Sequence, residues 1–201
     1  MLDSVTRKMK EIALDPVAGF LQSIHPNVVT LTSLVPGILA AWFASQNLMG
    51  WAIGMWAANR ILDGLDGTMA RLHNQQSDFG GYLDILIDFV VYAIVPIGIV
   101  LGRPEQFNWV ALAFLLAAYY VNSASWMYLS SILEKRGAGA NRSAELTTVT
   151  MPTGIIEGTE TVIAYFLFLL FPNQAAYLFI CFALLVMVTV GQRLLWARKQ
   201  I

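Results

Sequence analysis

Charge is what this sequence has least of: 12% of its 201 residues are Asp, Glu, Lys or Arg, against roughly a quarter in soluble domains. With 57% hydrophobic residues and a mean hydropathy of +0.62, that scarcity excludes an ordinary soluble domain and an intrinsically disordered chain. A basic excess is also missing. The 12 Lys and Arg against 13 Asp and Glu give a net charge of -1, so nothing is left over to neutralise phosphates and nucleic acid is not expected as a partner. A single cysteine, Cys181, excludes a disulfide-stapled module and reads as a small buried hydrophobe. The 15 glycines lack a three-residue period, which excludes a collagen-like chain. Only two histidines occur, His25 and His73, without metal-ligand spacing to another His or Cys, and both read as solvated loop residues. The first 24 residues have no unbroken apolar core, since Asp3, Arg7, Lys8, Lys10, Glu11 and Asp15 interrupt them, so a cleaved secretory leader is not expected.

What is present is a succession of long apolar windows. About 20 mostly apolar residues cross the hydrocarbon core, and such windows fall near residues 27–45, 48–74, 79–101, 108–132, 153–171 and 174–196. Polar breaks separate them at Ser45-Gln46-Asn47, Gly102-Arg103-Pro104, residues 134–152 and Pro172-Asn173. The expected fold is all-α: one integral-membrane domain over residues 1–201, a bundle of six transmembrane helices. Residues 1–24 alternate apolar positions with a basic cluster, which suggests an N-terminal interfacial amphipathic helix interrupted at Pro16, or equally a plain surface helix on the bundle. Positive residues near span ends stay on the cytoplasmic side. Arg7, Lys8, Lys10, Arg71, Lys135, Arg136, Arg142, Arg198 and Lys199 share one side and Arg103 stands on the other, so both termini are expected in the cytoplasm, with an inner or plasma membrane location.

The chemistry lies between residues 63 and 88, in D-G-L-D-G-T-M-A-R-L-H-N-Q-Q-S-D-F-G-G-Y-L-D-I-L-I-D. Asp63 and Asp66 are three apart, and Asp84 and Asp88 four apart, so each pair shares one helical face. An aspartate at mid-bilayer costs about 2.5 to 3.5 kcal/mol on insertion scales. Arg60 and Arg71 are too few to neutralise four such groups. Convergent hard oxygen ligands suit magnesium, manganese or calcium, and two divalent ions would balance the charge while leaving room for phosphate oxygens. Gly64, Gly67 and Ala70 line the second helix, Gly67 and Ala70 continue the Asp63 and Asp66 face, and Gly80 lies on the Asp84 stripe, where small residues admit a ligand or simply let helices pack. A different class, an ion or proton pathway, also uses intramembrane acids but spreads them along a route across the membrane.

These residues resemble the CDP-alcohol phosphotransferase family of integral membrane enzymes, with the signature D-x2-D-G-x2-A-R, eight residues, then G-x3-D-x3-D. Asp63, Asp66, Gly67, Ala70, Arg71, Gly80, Asp84 and Asp88 match it at every position. The resemblance implies six helices, a homodimer, and two Mg2+ ions (Mn2+ as the alternative) held by Asp63, Asp66, Asp84 and Asp88, with Asp88 also the general base. It implies CDP contacts from Asp66, Gly67, Ala70, Arg71 and Ser77. Pro26, Asn27 and Thr30 resemble a P-N-x-x-T element that closes over the nucleotide, although Pro and Asn at a helix start are also plain capping chemistry. The implied reaction moves a phosphatidyl group from CDP-diacylglycerol to a small hydroxylated acceptor and releases CMP, in phospholipid biosynthesis. In another branch CDP-choline or CDP-ethanolamine is the donor and diacylglycerol the acceptor.

A phosphorylated acceptor requires cations. Lys135, Arg136, Arg142 and Arg193 are available, the first three serving equally as determinants of orientation. Glu157 and Glu160 are three apart on one face at the start of the fifth span, where they can pair with Arg193, orient the acceptor or make structural ion pairs.

Overall fold

The computed structural model describes residues 14–137 and 154–201, and every regular element among them is helical. Residues 14–20 are helical, and six longer helices follow: α1 (Pro26–Ser45), α2 (Met49–Leu72), α3 (Asp78–Gly102), α4 (Gln106–Lys135), α5 (Gly158–Leu170) and α6 (Ala175–Gln200), with a 3-10 turn over Pro172–Gln174. Local chemistry sets the ends. Pro26 opens α1 with its fixed φ, and His25 Nδ1 accepts the Asn27 N–H at 3.2 Å. Asn47 (φ 60) and Asn74 (φ 54) turn the chain after α1 and α2 in the left-handed region that asparagine tolerates. Ser77 caps α3, its hydroxyl accepting the Gly80 N–H at 3.0 Å.

By length and composition four helices can cross a membrane: α1, α3, α4, and α6 with its preceding turn. The expectation of six apolar spans fails that criterion in two places for different reasons. The acid-bearing helix α2 holds Arg60, Asp63, Asp66 and Arg71. Helix α5 begins at Gly158 rather than Thr153, and its 13 residues span about 20 Å, short of the roughly 30 Å core.

The helices alternate in direction. One end gathers the starts of α1 and α3 with the ends of α2, α4 and α6: a Cβ added to Gly80 would lie 2.9 Å from Asn27 Oδ1, and Arg136 Nη1 donates to the Ile201 carbonyl at 3.0 Å. At the other end Asn47 Nδ2 donates to the Gly102 carbonyl at 2.8 Å and Arg103 Nε to Asn173 Oδ1 at 3.2 Å. The closest packing is of α1 on both α2 and α3, and of α4 on α6; α5 bridges to α2, α3 and α6. Gly98 and Gly102, spaced as G-x-x-x-G, bring α3 onto α1 so closely that a Cβ at Gly98 would lie 2.8 Å from the Ala41 carbonyl carbon, and one at Gly102 2.6 Å from the Ala44 oxygen. The core is aromatic where α2, α3 and α5 meet: Trp56 stacks on Tyr165 at 4.8 Å, and the Tyr165 hydroxyl donates to the Tyr92 carbonyl.

Three sequence expectations change. Pro16 lies inside the helical residues 14–20 rather than interrupting them, while residues 1–13 lie outside the described residues. His73 is not a solvated loop residue: it caps α2, and its Nε2 meets the Ala18 carbonyl at 3.1 Å, tying the N-terminal helical stretch to the end of α2. Cys181 is exposed on α6 instead of buried. A thiol is apolar enough to stand on the outer face of a bundle whose surroundings are lipid.

Candidate active site

Helix periodicity puts Asp63 and Asp66 on one face of α2, and Asp84 and Asp88 on one face of α3. Because α2 and α3 both pack on α1, those two faces meet. Asp63 stands within hydrogen-bonding reach of both Asp88 and Asp84, and Asp66 is buried beside the Thr30 hydroxyl, which donates to the Pro26 carbonyl at 3.2 Å. All four acids therefore belong to one site built by three helices.

Arg60 runs through it. Its Nη2 donates to Asp88 Oδ1 at 2.8 Å, its Nη1 lies 3.6 Å from Asp63 Oδ2 and donates to the Tyr92 hydroxyl at 3.0 Å, and its Nε donates to Asn59 Oδ1 at 2.8 Å. The guanidinium sits over two rings, 4.9 Å from the Trp56 centroid and 5.1 Å from that of Tyr92. Asn59 is fully buried and also donates to the Ser33 carbonyl at 2.8 Å, joining α2 to α1. In the sequence Arg60 counted only as one of two nearby cations. Its i, i+3 spacing to Asp63 inside an apolar window was the signal for more.

The structure also gathers the nucleotide-side residues. Asn27 and Ser77 converge on Gly80, where a Cβ would lie 2.9 Å from Asn27 Oδ1 and 3.1 Å from Ser77 Oγ. Gly67 lies under Arg71, whose Nη1 would be 3.2 Å from a Cβ there, and Ala70 is on the same helical turn. Pro26 and Thr30 sit buried at the head of α1.

As placed, no three of the acids among the described residues converge on one point that would hold an ion, and Arg60 already engages Asp63 and Asp88. Asp66 Oδ2 is buried with no hydrogen-bond partner. Carboxylates within hydrogen-bonding reach of each other require a shared proton or a cation between them. An oxygen-only donor set with one orphaned buried oxygen fits a hard divalent ion.

The described residues expected at a second substrate lie on α4, on α6 and at the start of α5. Arg193 is buried between α6 and α4, its Nη1 donating to Asn122 Oδ1 and Ser125 Oγ at 2.9 Å each, and it feels the charge of Glu157. Glu157 and Glu160 form a reciprocal capping box at the start of α5, the Glu157 N–H donating to Glu160 Oε2 at 3.1 Å. Lys135 is exposed in the last turn of α4, and Arg142 lies outside the described residues.

The model of the CDP-alcohol phosphatidyltransferase family matches residues 23–197. Inner membrane protein YnjF of Escherichia coli K12 is 35% identical over 173 residues, 85% of this chain and 81% of that protein. Archaetidylinositol phosphate synthase of Pyrococcus horikoshii is 31% identical over 204 residues, 100% of this chain and 98% of that protein. The crystal structure of Mycobacterium tuberculosis phosphatidylinositol phosphate synthase with CDP-DAG bound shares the fold, with a TM-score of 0.69 at 21% identity over 90% of this chain and 92% of that one.

Proposed function

From the premise that the chain belongs to the CDP-alcohol phosphatidyltransferase family, we propose that it transfers a phosphatidyl group from CDP-diacylglycerol to a small hydroxylated acceptor, with release of CMP. The observation that carries the reading is that the acid faces of α2 and α3 meet, Asp63 lying within reach of Asp88 and of Asp84 in turn, while one oxygen of Asp66 is buried without a hydrogen-bond partner.

In this reading the acceptor hydroxyl attacks the phosphorus that carries the diacylglycerol, the bond from that phosphorus to the CMP oxygen breaks, and Asp88 takes the hydroxyl proton. Asp63, Asp66, Asp84 and Asp88 would hold two magnesium or manganese ions. When bound, these supply Lewis-acid polarisation of the pyrophosphate and offset the charge developing on CMP. Gly67 and Ala70 leave the backbone open to the nucleotide, Arg71 pairs with a phosphate, and Asn27, Thr30 and Ser77 close over the cytidine side. Arg193 with Lys135 and Arg142 forms the cationic side for a phosphorylated acceptor, and Glu157 and Glu160 fix the start of α5 beside it. The same reading has six spans, residues 1–24 at the interface, a homodimer, and both termini and the acids on the cytoplasmic face of an inner or plasma membrane. Its support is that Arg71, Lys135, Arg136, Arg198 and Lys199 end helices at the acid end of the bundle while Arg103 sits at the other.

The test is CMP release by the purified protein with Mg2+ and CDP-diacylglycerol, over glycerol 3-phosphate, inositol phosphate, serine and no acceptor. Release with one acceptor is expected, falling by about 10² to 10⁴ in Asp88→Asn while the circular dichroism spectrum is unchanged. Release only from CDP-choline or CDP-ethanolamine with diacylglycerol would move the chain to the other branch, and silence with both donors would sink the reading.

A further inference from the structure

Arg60 is a buried cation in the middle of an acid site, held from four directions. Asn59 takes its Nε, Tyr92 and Asp63 flank its Nη1, Asp88 takes its Nη2, and the Trp56 and Tyr92 rings lie along its flat faces. Two of those holders are themselves fixed. Asn59 is fully buried and bonded to the α1 backbone through Ser33, while Tyr92 accepts the Tyr165 hydroxyl at its backbone carbonyl. A guanidinium so constrained cannot swing away as an exposed one would, and its planar fork sets direction as well as charge. A buried charge is expensive unless it is both paired and hydrogen-bonded, and Arg60 meets both conditions on the acids themselves.

We infer that Arg60 is a positioning residue of the acid site: it points the Asp88 carboxylate and supplies a built-in positive charge that limits how tightly the four acids hold divalent ions. The inference rests on the proposed reading of those acids as ion ligands. Two consequences separate charge from shape. Removing the charge relieves repulsion on any divalent ion several ångströms away, so ions bind more tightly. Removing the fork frees Asp88 to rotate, so turnover falls even when ions are bound.

The experiment uses the full chain in detergent and reads Mn2+ binding by the loss of the free-ion electron paramagnetic resonance signal, which needs no substrate. CMP release at saturating Mn2+ is measured in parallel. Arg60→Gln is expected to bind Mn2+ about tenfold more tightly, as a unit charge beside a divalent ion implies even at high dielectric, and to lose most turnover. Arg60→Lys keeps the charge but not the fork, so wild-type Mn2+ affinity returns while turnover stays severalfold low. Unchanged affinity in a folded Arg60→Gln, or full turnover in Arg60→Lys, would overturn the inference. If Arg60→Gln does not fold, the Lys variant decides: wild-type affinity with reduced turnover supports the role, and any other pair of results refutes it. Wild-type protein that binds no Mn2+ would instead remove the ion-ligand reading on which the inference depends.

Discussion

The contact between α1 and α3 permits a test in which one chemical change has opposite signs at two glycines. At Gly98 an added Cβ meets the Ala41 backbone, with the carbonyl carbon at 2.8 Å and the Cα at 2.9 Å. Backbone atoms cannot rotate aside, so the helices must separate. Overpacking costs about 1 to 3 kcal/mol, and a backbone obstacle puts Gly98→Ala near the upper end. Better helix propensity returns about 1 kcal/mol, leaving a net loss of about 2 kcal/mol. At Gly54, on the exposed side of α2, nothing lies within 4 Å of the added carbon. Gly54→Ala therefore retains the propensity gain of about 1 kcal/mol. The gap between the variants is about 3 kcal/mol, on the order of a hundredfold in the folding equilibrium. Unfolding in mixed micelles titrated with dodecyl sulfate, followed by far-ultraviolet circular dichroism, reads that gap. Equal shifts, or a Gly98→Ala protein as stable as wild type, would refute the claim that this crossing is closed by glycine.

Substitutions at two further positions test the site and its supports. Gly80→Ala pushes a carbon against Asn27 Oδ1 and Ser77 Oγ, so the KM for the CDP donor should rise with a smaller change in kcat, measured as initial rates of CMP release; an unaltered KM would remove Asn27 from the nucleotide side. Glu157→Ala removes one half of the capping box at α5, which should cost about 1 kcal/mol and speed amide exchange in the first turn of that helix, whereas Glu157→Gln should preserve most of the cap.

Much of this was legible because it depends on periodicity. The spacing of Asp63, Asp66, Asp84 and Asp88 fixes which face each shares, and the apolar windows locate α1 through α4 to within about three residues, the uncertainty expected at helix ends. What periodicity does not report is which helices pair. Nothing in the windows says that α2 and α3 both lie on α1, although the G-x-x-x-G at Gly98 and Gly102 was a readable sign that α3 had a close partner. Asp88 and Tyr92 at Arg60, Asn122 at Arg193 and Ala18 at His73 lie 28 to 71 residues away in the chain, and single-sequence reasoning has no access to such distances. The early start expected for α5 failed for a local reason: the backbone at residues 155 and 156 bonds to Gln192 and Thr189 of α6 instead of continuing a helix.

The way α1 carries both acid-bearing helices has an evolutionary corollary. Every residue of the signature, the arginine threaded through it and the helix that sets its width fall within residues 26–102, whereas α4 and α6 pack chiefly on each other. The signature is thus a cassette of three consecutive helices, and the remainder of the chain is tied to it at a seam where Tyr165 of α5 stacks on Trp56 and donates to the Tyr92 carbonyl. Residues 106–201 can diverge in shape so long as Tyr165 and its ring contacts are kept, and a chimera joined at the turn before α4 is the natural unit in which to look for that freedom.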